Sequence, residues 1–530
     1  MKRKITFLLC LSFFFVVSTY AQVTSDTIYV DPSATGLNDG SSWANAYTNI
    51  VTAVGDAVVN GNTDVWVKQG TYVAPDSGDY TFLSMNNGVH LYGGFDGTET
   101  ILNQRNPINN PTILSGDVNQ DDVSLTSVVV ALDDPSRSDN TYSVITARPA
   151  QNGSARPLKI DGFTITGGNS RATTQTGGYR FGGGIYVNPV SGGQTQAWNA
   201  VEIENCIFEN NSAYFGSAIN AETAYNRPTL TVIENCIFKN NFSQGNVVGN
   251  TANTHIAGTL ITNCLFTENT VAGTSLGLVT SGSLNSVAQS TVNITNSTFA
   301  DNSITSGNVF TVYAPSVPNG DTIPTQLNVY NSIISETTAG TLIRNYGSGV
   351  ADTITIRNNV CNTGIFYSGD FANGTLQNNT VSATPGFVGG GNYALANGSV
   401  AINHGTWADY NLWYNDPAIQ FSSPATGLGG NPMSITAGNI NAGAYQGGTT
   451  GINENELQSL VLNLYPNPTQ TQLNIELNEA ANLQIINLLG ETLVTKEAVA
   501  GNNTIDVSYL DSGVYFLQVG NKGAVKIVKE

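Results

Sequence analysis

Side chains able to do chemistry are few in this chain of 530 residues, of which 11% are charged. Between Lys239 and Lys496 there is no lysine, and the arginines in that stretch are Arg344 and Arg357. Arg344, in TLIRNYG, is the leading candidate for a catalytic base, because Asp370 and the phenols of Tyr346 and Tyr367 lie close to it in sequence. An arginine so placed could take the proton beside a uronate carboxylate. The competing reading is a solvated surface arginine, and no other catalytic pair stands out.

A second grouping is acidic. GDVNQDDVSLTSVVVALDDPSRSDN carries Asp117, Asp121, Asp122, Asp133, Asp134 and Asp139. Asp117, Asn119 and Asp121 have the spacing that opens a calcium loop, but the sixth position is Asp122 instead of Gly and the twelfth is Val128 instead of Glu, so this is no EF-hand. Asp117, Asp121 and Asp122 could still hold calcium weakly, against the alternative of a plain solvated loop. Calcium is the one cofactor the sequence suggests, and none is required.

Three other patterns carry little. GTSLG at Gly273 to Gly277 has the form of a nucleophile elbow, but that elbow needs a strand, turn and helix with a downstream histidine, and the only later one is His404. His90, His255 and His404 are scattered and suit packing roles. Cys206, Cys236 and Cys264 occupy one equivalent position in successive repeats, where later copies have Ser297 and Ser332. Small-residue packing explains them, and Cys361, as free thiols; a Cys206 to Cys236 bridge is the alternative, strained because side chains on stacked parallel strands point the same way. No CxxC or paired histidine suggests a metal.

What must position these groups is a repeat. VEIENCIFENN from Val201, TVIENCIFKNN from Thr231, TLITNCLFTEN from Thr259, VNITNSTFADN from Val292, LNVYNSIISE from Leu327 and ITIRNNVCN from Ile354 are copies of one unit. Their central asparagines are Asn205, Asn235, Asn263, Asn296, Asn331 and Asn358; an earlier copy, LKIDGFTITGG, has Gly162 there. Near-constant spacing with variable loops is what one coil of a solenoid per repeat produces. Within a copy the period-2 alternation slips by one at the asparagine, which marks a sharp corner needing positive φ, tolerated by Asn and best by Gly. Stacked coils should then align the corner asparagines as an amide ladder, beside an apolar ladder of Phe208, Phe238, Phe266, Phe299, Ile334 and Cys361.

Composition agrees. Fifty-six glycines, 40% hydrophobic content and few charges suit many short strands joined by tight turns. Residues 1–21 read as a secretory signal peptide: Lys2, Arg3 and Lys4, an apolar run from Ile5 to Val17, and small residues ending at Ala21. No segment is long enough to span a membrane as a helix. Losing the leader takes the formal charge from -19 to -22, which would repel phosphate backbones and argues against nucleic acid as a partner.

Residues 28 to about 380 resemble the pectate-lyase-like, right-handed parallel β-helix repeat proteins of the bacterial surface. The blocks IYVDPSATGLNDGSSWANAYTNIVTAVGDA, DVWVKQGTYV, NGVHLYGGFDGTET, NPTILSGDV and LKIDGFTITGGN resemble, in order, the N-terminal blocks of polymorphic outer-membrane-protein-like β-helix proteins. Trp43, Tyr47, Ile50, Val51, Val54 and Val58 fall at helical spacing, so a short amphipathic helix is expected to cap the open end. NYALANGSVAINHG through INAGAYQ, residues 392 to 446, resembles the closing segment expected to cover the other end. Residues 461–530 are similar throughout to the type A sorting domain of the type IX secretion system. The matching positions are Tyr465, Pro466, Asn467 and Pro468, the turn at Gly490, the strand LDSGVYFLQV with Gly513 and Tyr515, and the basic end Lys526 to Lys529. Its seven or so short alternating strands suit a small β-sandwich.

The expected chain is therefore all-β: signal peptide 1–21, β-helix 22–385, closing segment 386–446, polar linker 447–460 and sorting domain 461–530. The resemblance implies recognition by the type IX machinery, exchange for a surface anchor by its attachment enzyme, and a location at the cell surface or outside the cell. It also implies that a catalytic groove would lie on the sheet formed by the first strand of each coil, where Arg344 falls. Three readings of the body follow: non-enzymatic adhesion or contact with a polysaccharide or a host or matrix surface, a polysaccharide lyase or hydrolase in the groove, and a structural stalk or matrix component.

Overall fold

Each repeat turns the chain through one coil, and the turning point is visible in the backbone. Asn205, Asn235, Asn263, Asn296, Asn331 and Asn358 have φ between 48° and 58°, and Gly162 has φ 86°. The computed structural model describes residues 27–61, 63–75, 81–86, 88–123, 132–149, 156–171, 181–188, 199–223, 228–253, 255–284, 288–313, 325–336, 341–346, 352–364, 366–369, 373–412, 424, 426–428, 433, 438–446, 461–478, 480–486, 492–519 and 524–530. The stretches read as signal peptide (1–21) and linker (447–460), together with Asp370 and Gly490, lie outside the described residues.

Before each corner runs a strand of sheet A, eleven strands from Thr27–Val30 to Asn373–Gln377; after it runs a strand of sheet B, ten strands from Gly70–Val73 to Thr380–Val381. Sheet C has nine strands from Thr81–Met85 to Tyr367–Ser368, and a sheet of five two-residue strands lies between B and C. All strands in these four sheets pair in parallel, one coil on the next, which makes the body a parallel β-helix. Every second side chain points inward. On sheet A, Ile203, Ile233, Ile261, Ile294, Val329 and Ile356 form one such row, each fully buried. On sheet B, Phe208, Phe238, Phe266 and Phe299 stack with ring centroids 5.0, 4.3 and 4.6 Å apart, followed in register by Ile334 and Cys361.

The amide ladder is not where the corner predicted it. The side chains of Asn263, Asn296, Asn331 and Asn358 donate to Thr426 O, Asn441 O, Thr406 O and the Asp409 carboxylate, and Asn205 donates to Asp161; none donates to the next corner asparagine. A residue in the left-handed conformation turns its side chain away from the core, and the residue after it points in. At this first corner the inward residue is Cys206, Cys236, Cys264, Ser297, Ser332 or Asn359, and the cysteines are free, buried thiols. At a second corner, after sheet B, Asn210, Asn240, Glu268 and Asp301 take positive φ and the inward residues are Asn211, Asn241, Asn269 and Asn302. Their amides form the ladder: Asn211 to Asn241 at 3.2 Å, Asn241 to Asn269 at 2.9 Å, Asn269 to Asn302 at 2.9 Å, ending on the Glu336 carboxylate.

The N-terminal cap is shorter than the apolar spacing suggested. Helix α1 (Ile50–Asn60) begins after Asn49, whose side chain accepts from Val51 N and Thr52 N. Ile50, Ala53, Val54 and Ala57 face the core, while Val51 is exposed. Trp43 and Tyr47 precede the helix; Trp43 packs beside Tyr29 and Phe95 on the outer face of sheet A. The closing segment also departs from expectation. It folds back along the outer face of sheet B, with Tyr393, Leu428 and Ala444 on Leu265, and Leu395, Ala401 and Ala442 on Ile333 and Val360. At Gly443 a Cβ would lie 2.6 Å from Ile333, so only glycine lets the chain approach so closely.

The last described domain is antiparallel. Val461–Tyr465, Gln472–Leu477 and Gly501–Asp506 form one sheet, and Thr492–Ala498, Ala481–Ile486, Gly513–Val519 and Ala524–Lys529 the other. Leu473, Ile475 and Ile505 of the first share a core with Leu483, Ile485, Leu517 and Ile527 of the second.

Candidate functional site

Because Ile219 and Ala221 point into the core, Asn220 and Glu222 point out of sheet C. The same parity gives two outward rows in register across the coils: Tyr186, Asn220, Gly249, Thr280, Thr311 and Arg344, and beside it Glu222, Thr251, Gly282 and Tyr313. Asn220, Glu222, Thr251 and Tyr313 of these rows floor a groove of about 660 Å³. Its walls carry Phe181, Phe215, Leu276 and Tyr346.

Two glycines seat the aromatic rings. A Cβ at Gly282 would lie 2.1 Å from the Tyr313 ring, and one at Gly245 would lie 2.3 Å from the Phe215 ring. Phe181 stacks on Phe215 at 5.8 Å and on Tyr186 at 6.0 Å. Tyr346 is held by its hydroxyl, which donates to Thr274 O at 3.2 Å. The groove thus combines flat apolar rings with polar groups on its floor, where the Asn220 amide lies against the Glu222 carboxyl.

Glu222 is the one charged residue among the described groove lining. Burial pushes its carboxyl up from the ordinary range, while the Tyr186 hydroxyl donating to it at 2.9 Å works in the opposite direction. Hydrolysis of a glycosidic bond takes a pair of carboxyls about 5–10 Å apart, and Glu222 has no such partner among the described lining.

Arg344 lies on sheet C, next in its row to Thr311, exposed, with its guanidinium 4.5 Å from the centre of the Tyr346 ring. Tyr346 lines the groove and Tyr367 stands one coil further on. GTSLG forms part of the groove wall, between Thr270–Val271 and Val279–Ser283, with no helix after it. His90 is held between Tyr92, Pro157 and Arg156, away from sheet C, and burial is the main cause of its pKa falling to about 3.

The acidic loop rearranges the expected calcium set. Asp117, Asp121 and Asp139 each bring a carboxylate oxygen within 4.8 Å of the others. Asp122 turns away to the buried Arg137 at 2.9 Å and to Asn140 at 3.0 Å; burial outweighs the arginine and pushes its carboxyl up to about 6. The usable trio is therefore completed by Asp139 instead of Asp122. Hard carboxylate oxygens at this separation suit a divalent cation such as calcium.

The groove residues Phe181, Phe215, Glu222 and Tyr313 escaped the sequence reading because the sheet C strand of each coil has no invariant marker. The parity of AINAET, VVGNTA, LVTSGS and VFTVYA, set against the buried ladder, is the signal that finds them.

In the last domain, the Tyr465–Pro466 and Asn467–Pro468 bonds are cis, Tyr465 is exposed, and Asn467 Oδ1 accepts from Val528 N at 2.8 Å, tying the YPNP stretch to the final strand. Tyr515, on the strand that starts at Gly513, donates to Asp511 O. Residues 463–530 match the secretion system C-terminal sorting domain family. No curated protein matches the chain. The sorting domain marks the protein for export through the type IX secretion machinery to the cell surface or the extracellular space. No helix among the described residues is long and apolar enough to cross a membrane.

Proposed function

We propose that the exported β-helix holds a glycan chain in the groove of sheet C and does not cleave it, so that the protein acts as a surface adhesin. The observation that carries this reading is the pairing of Tyr313 and Phe215, each seated over a glycine, with the Asn220 amide and the Glu222 carboxyl on the groove floor. Sugar rings offer flat C–H faces to aromatic rings and hydroxyls to amides, and such a surface supplies both. Attachment through the sorting domain would hold the groove at the cell surface. Calcium, in this reading, would be held by Asp117, Asp121 and Asp139 in a structural role.

The test is a glycan screen on the recombinant mature chain, reading binding and the ultraviolet absorbance of unsaturated uronates together. Binding without product is the expected result. Product formation would replace adhesion by lyase chemistry, with Arg344 as its base, and loss of product in Arg344→Ala would then identify it. Silence in both channels leaves the stalk or matrix reading.

A further inference from the structure

The corner asparagines hold the closing segment in place, and one of them holds nothing. Asn263, Asn296 and Asn331 donate through Nδ2 to the main-chain carbonyls of Thr426, Asn441 and Thr406 at 3.0, 3.0 and 2.9 Å. Three stretches of the closing segment thus cross the outside of the solenoid on successive corner amides. Asn358 donates to the Asp409 carboxylate and Asn205 to that of Asp161. Asn235, which lies between Asn205 and Asn263, is the exception: among the described residues its Nδ2 meets no acceptor, and its Oδ1 is buried without a donor. The lack of a donor to Oδ1 is shared with Asn263 and Asn296, so the free Nδ2 is what sets this corner apart.

The apolar cover is interrupted at the same place. Ile207, Ile237 and Leu265 follow one another in register on sheet B, on the side opposite the inward phenylalanines. Leu265 lies under Tyr393, Leu428 and Ala444. On the other side residues 102–111 pass over the corner at Gly162, where a Cβ would lie 2.9 Å from Pro107. Between these two covers lies a cavity of about 870 Å³, lined by Ile207, Ile237 and Asn235, by Leu428 and Tyr445 of the closing segment, and by the exposed Ile108. Arg105, the one charged residue among its described lining, is committed to the Asp161 carboxylate at 2.6 Å and to Gly93 O at 3.0 Å. The cavity offers apolar surface and a free amide donor, with its charge already paired.

The geometry points to this cavity as a docking site for an extended, uncharged peptide segment of a partner protein, whose main-chain carbonyl accepts from Asn235 Nδ2 while an apolar side chain lies over Ile207 and Ile237. Such a segment continues, one coil further, the interface that the closing segment makes with the solenoid. The main-chain carbonyl is the group that the amides of Asn263, Asn296 and Asn331 all take, and main-chain bonds with apolar side-chain seats are how extended peptides are generally held. A charged segment would lose water here without gaining an opposite charge. The site is on the outer face of sheet B and is independent of what the groove of sheet C binds.

The experiment uses the full mature chain and a synthetic peptide of sequence GNINAGAYQ, which copies residues 438–446 and carries no side-chain charge. Fluorescence anisotropy of the labelled peptide measures binding, and a photoreactive benzophenone in place of its tyrosine maps the site by mass spectrometry. The expected result is saturable binding with a dissociation constant below about 1 mM and cross-links to Ile108, Ile207 or Ile237. Asn235→Gly removes the amide but keeps the corner, since Gly162 occupies the equivalent position with φ 86°, and it should weaken binding about fivefold. Ile207→Glu should weaken it at least about tenfold. Absence of saturable binding overturns the proposal, because the cavity is then closed to outside segments. Cross-links elsewhere on the chain, an affinity unchanged in Asn235→Gly, or binding of N-acetylated sugars in place of the peptide overturn it as well. The cross-linking needs no variant, so a failure of Ile207→Glu to fold leaves the test intact.

Discussion

The Asn269 side-chain amide donates to Asn302 Oδ1 at 2.9 Å, and the Asn269 backbone N–H donates to the same oxygen at 2.9 Å. One asparagine oxygen thus satisfies two donors of the coil before it, and the arrangement repeats from Asn211 through Asn241 to Asn302 and Glu336. Each rung sits inside the solenoid with almost no solvent contact, so a missing rung strands buried donors on both the amide and the backbone.

Asn269→Ala should therefore destabilise the β-helix by about 2–4 kcal/mol, because the N–H and Nδ2 of Asn241 lose their acceptor at once. Denaturant unfolding of the mature chain measures it. The corner variant Asn263→Gly, where positive φ is the main demand, should cost less than Asn269→Ala. Equal or reversed costs would show that the corner asparagines, and not the inward ones, fix the coils.

The end of that ladder makes stability depend on pH. Burial raises the Glu336 carboxyl to about 7, and the two bonds from Asn302 only partly oppose it. The folded chain holds this proton where the unfolded chain, near the ordinary glutamate value, has released it. The contribution is complete below about pH 4.5 and is lost as the pH rises through about 7, a change on the order of 3 kcal/mol. Glu336→Gln should flatten the fall in stability between pH 5 and 8 relative to the parent, whatever its effect on stability at one pH. An unchanged slope would place the proton elsewhere.

The first corner was legible because a slip in the period-2 pattern appears in the sequence itself, and so was the phenylalanine stack, which keeps one spacing from that corner. The amide ladder was misplaced because both corners contain asparagine and composition cannot say which one points inward. Only the backbone shows that the side chain of the left-handed residue leaves the core and its successor enters. The closing segment was recognised but its course was not, since its contacts with Leu265 and Ile333 depend on three-dimensional proximity across about a hundred residues of chain. The groove was illegible for a related reason: Tyr313 matters because Gly282 lies one coil away, a pairing that exists only once the coils are stacked in register.

That pairing gives the groove its own test. Tyr313→Ala should lower glycan affinity about tenfold by removing one stacking face, with little change in thermal midpoint because Gly282 needs no cover. Gly282→Ala should weaken binding in the same direction by pushing the Tyr313 ring out of place. Titration calorimetry with a glycan taken from the screen measures both. If neither variant changes affinity while the parent binds, the glycan is held elsewhere on the protein.

Calcium separates the acidic residues by role. Asp117, Asp121 and Asp139 converge, whereas Asp122 is committed to Arg137 and Asn140. A cation that binds only the folded chain stabilises it by about 1.4 kcal/mol at ten times its dissociation constant, so the thermal midpoint should rise with calcium and fall back on chelation. Asp139→Asn should abolish the rise. Asp122→Asn should lower the midpoint with and without calcium, because it unpairs a buried arginine, yet leave the calcium increment in place. An increment lost in Asp122→Asn but kept in Asp139→Asn would mean that the ion sits on the arginine side of the loop, and no increment in the parent would mean that the three carboxylates are held apart by water alone.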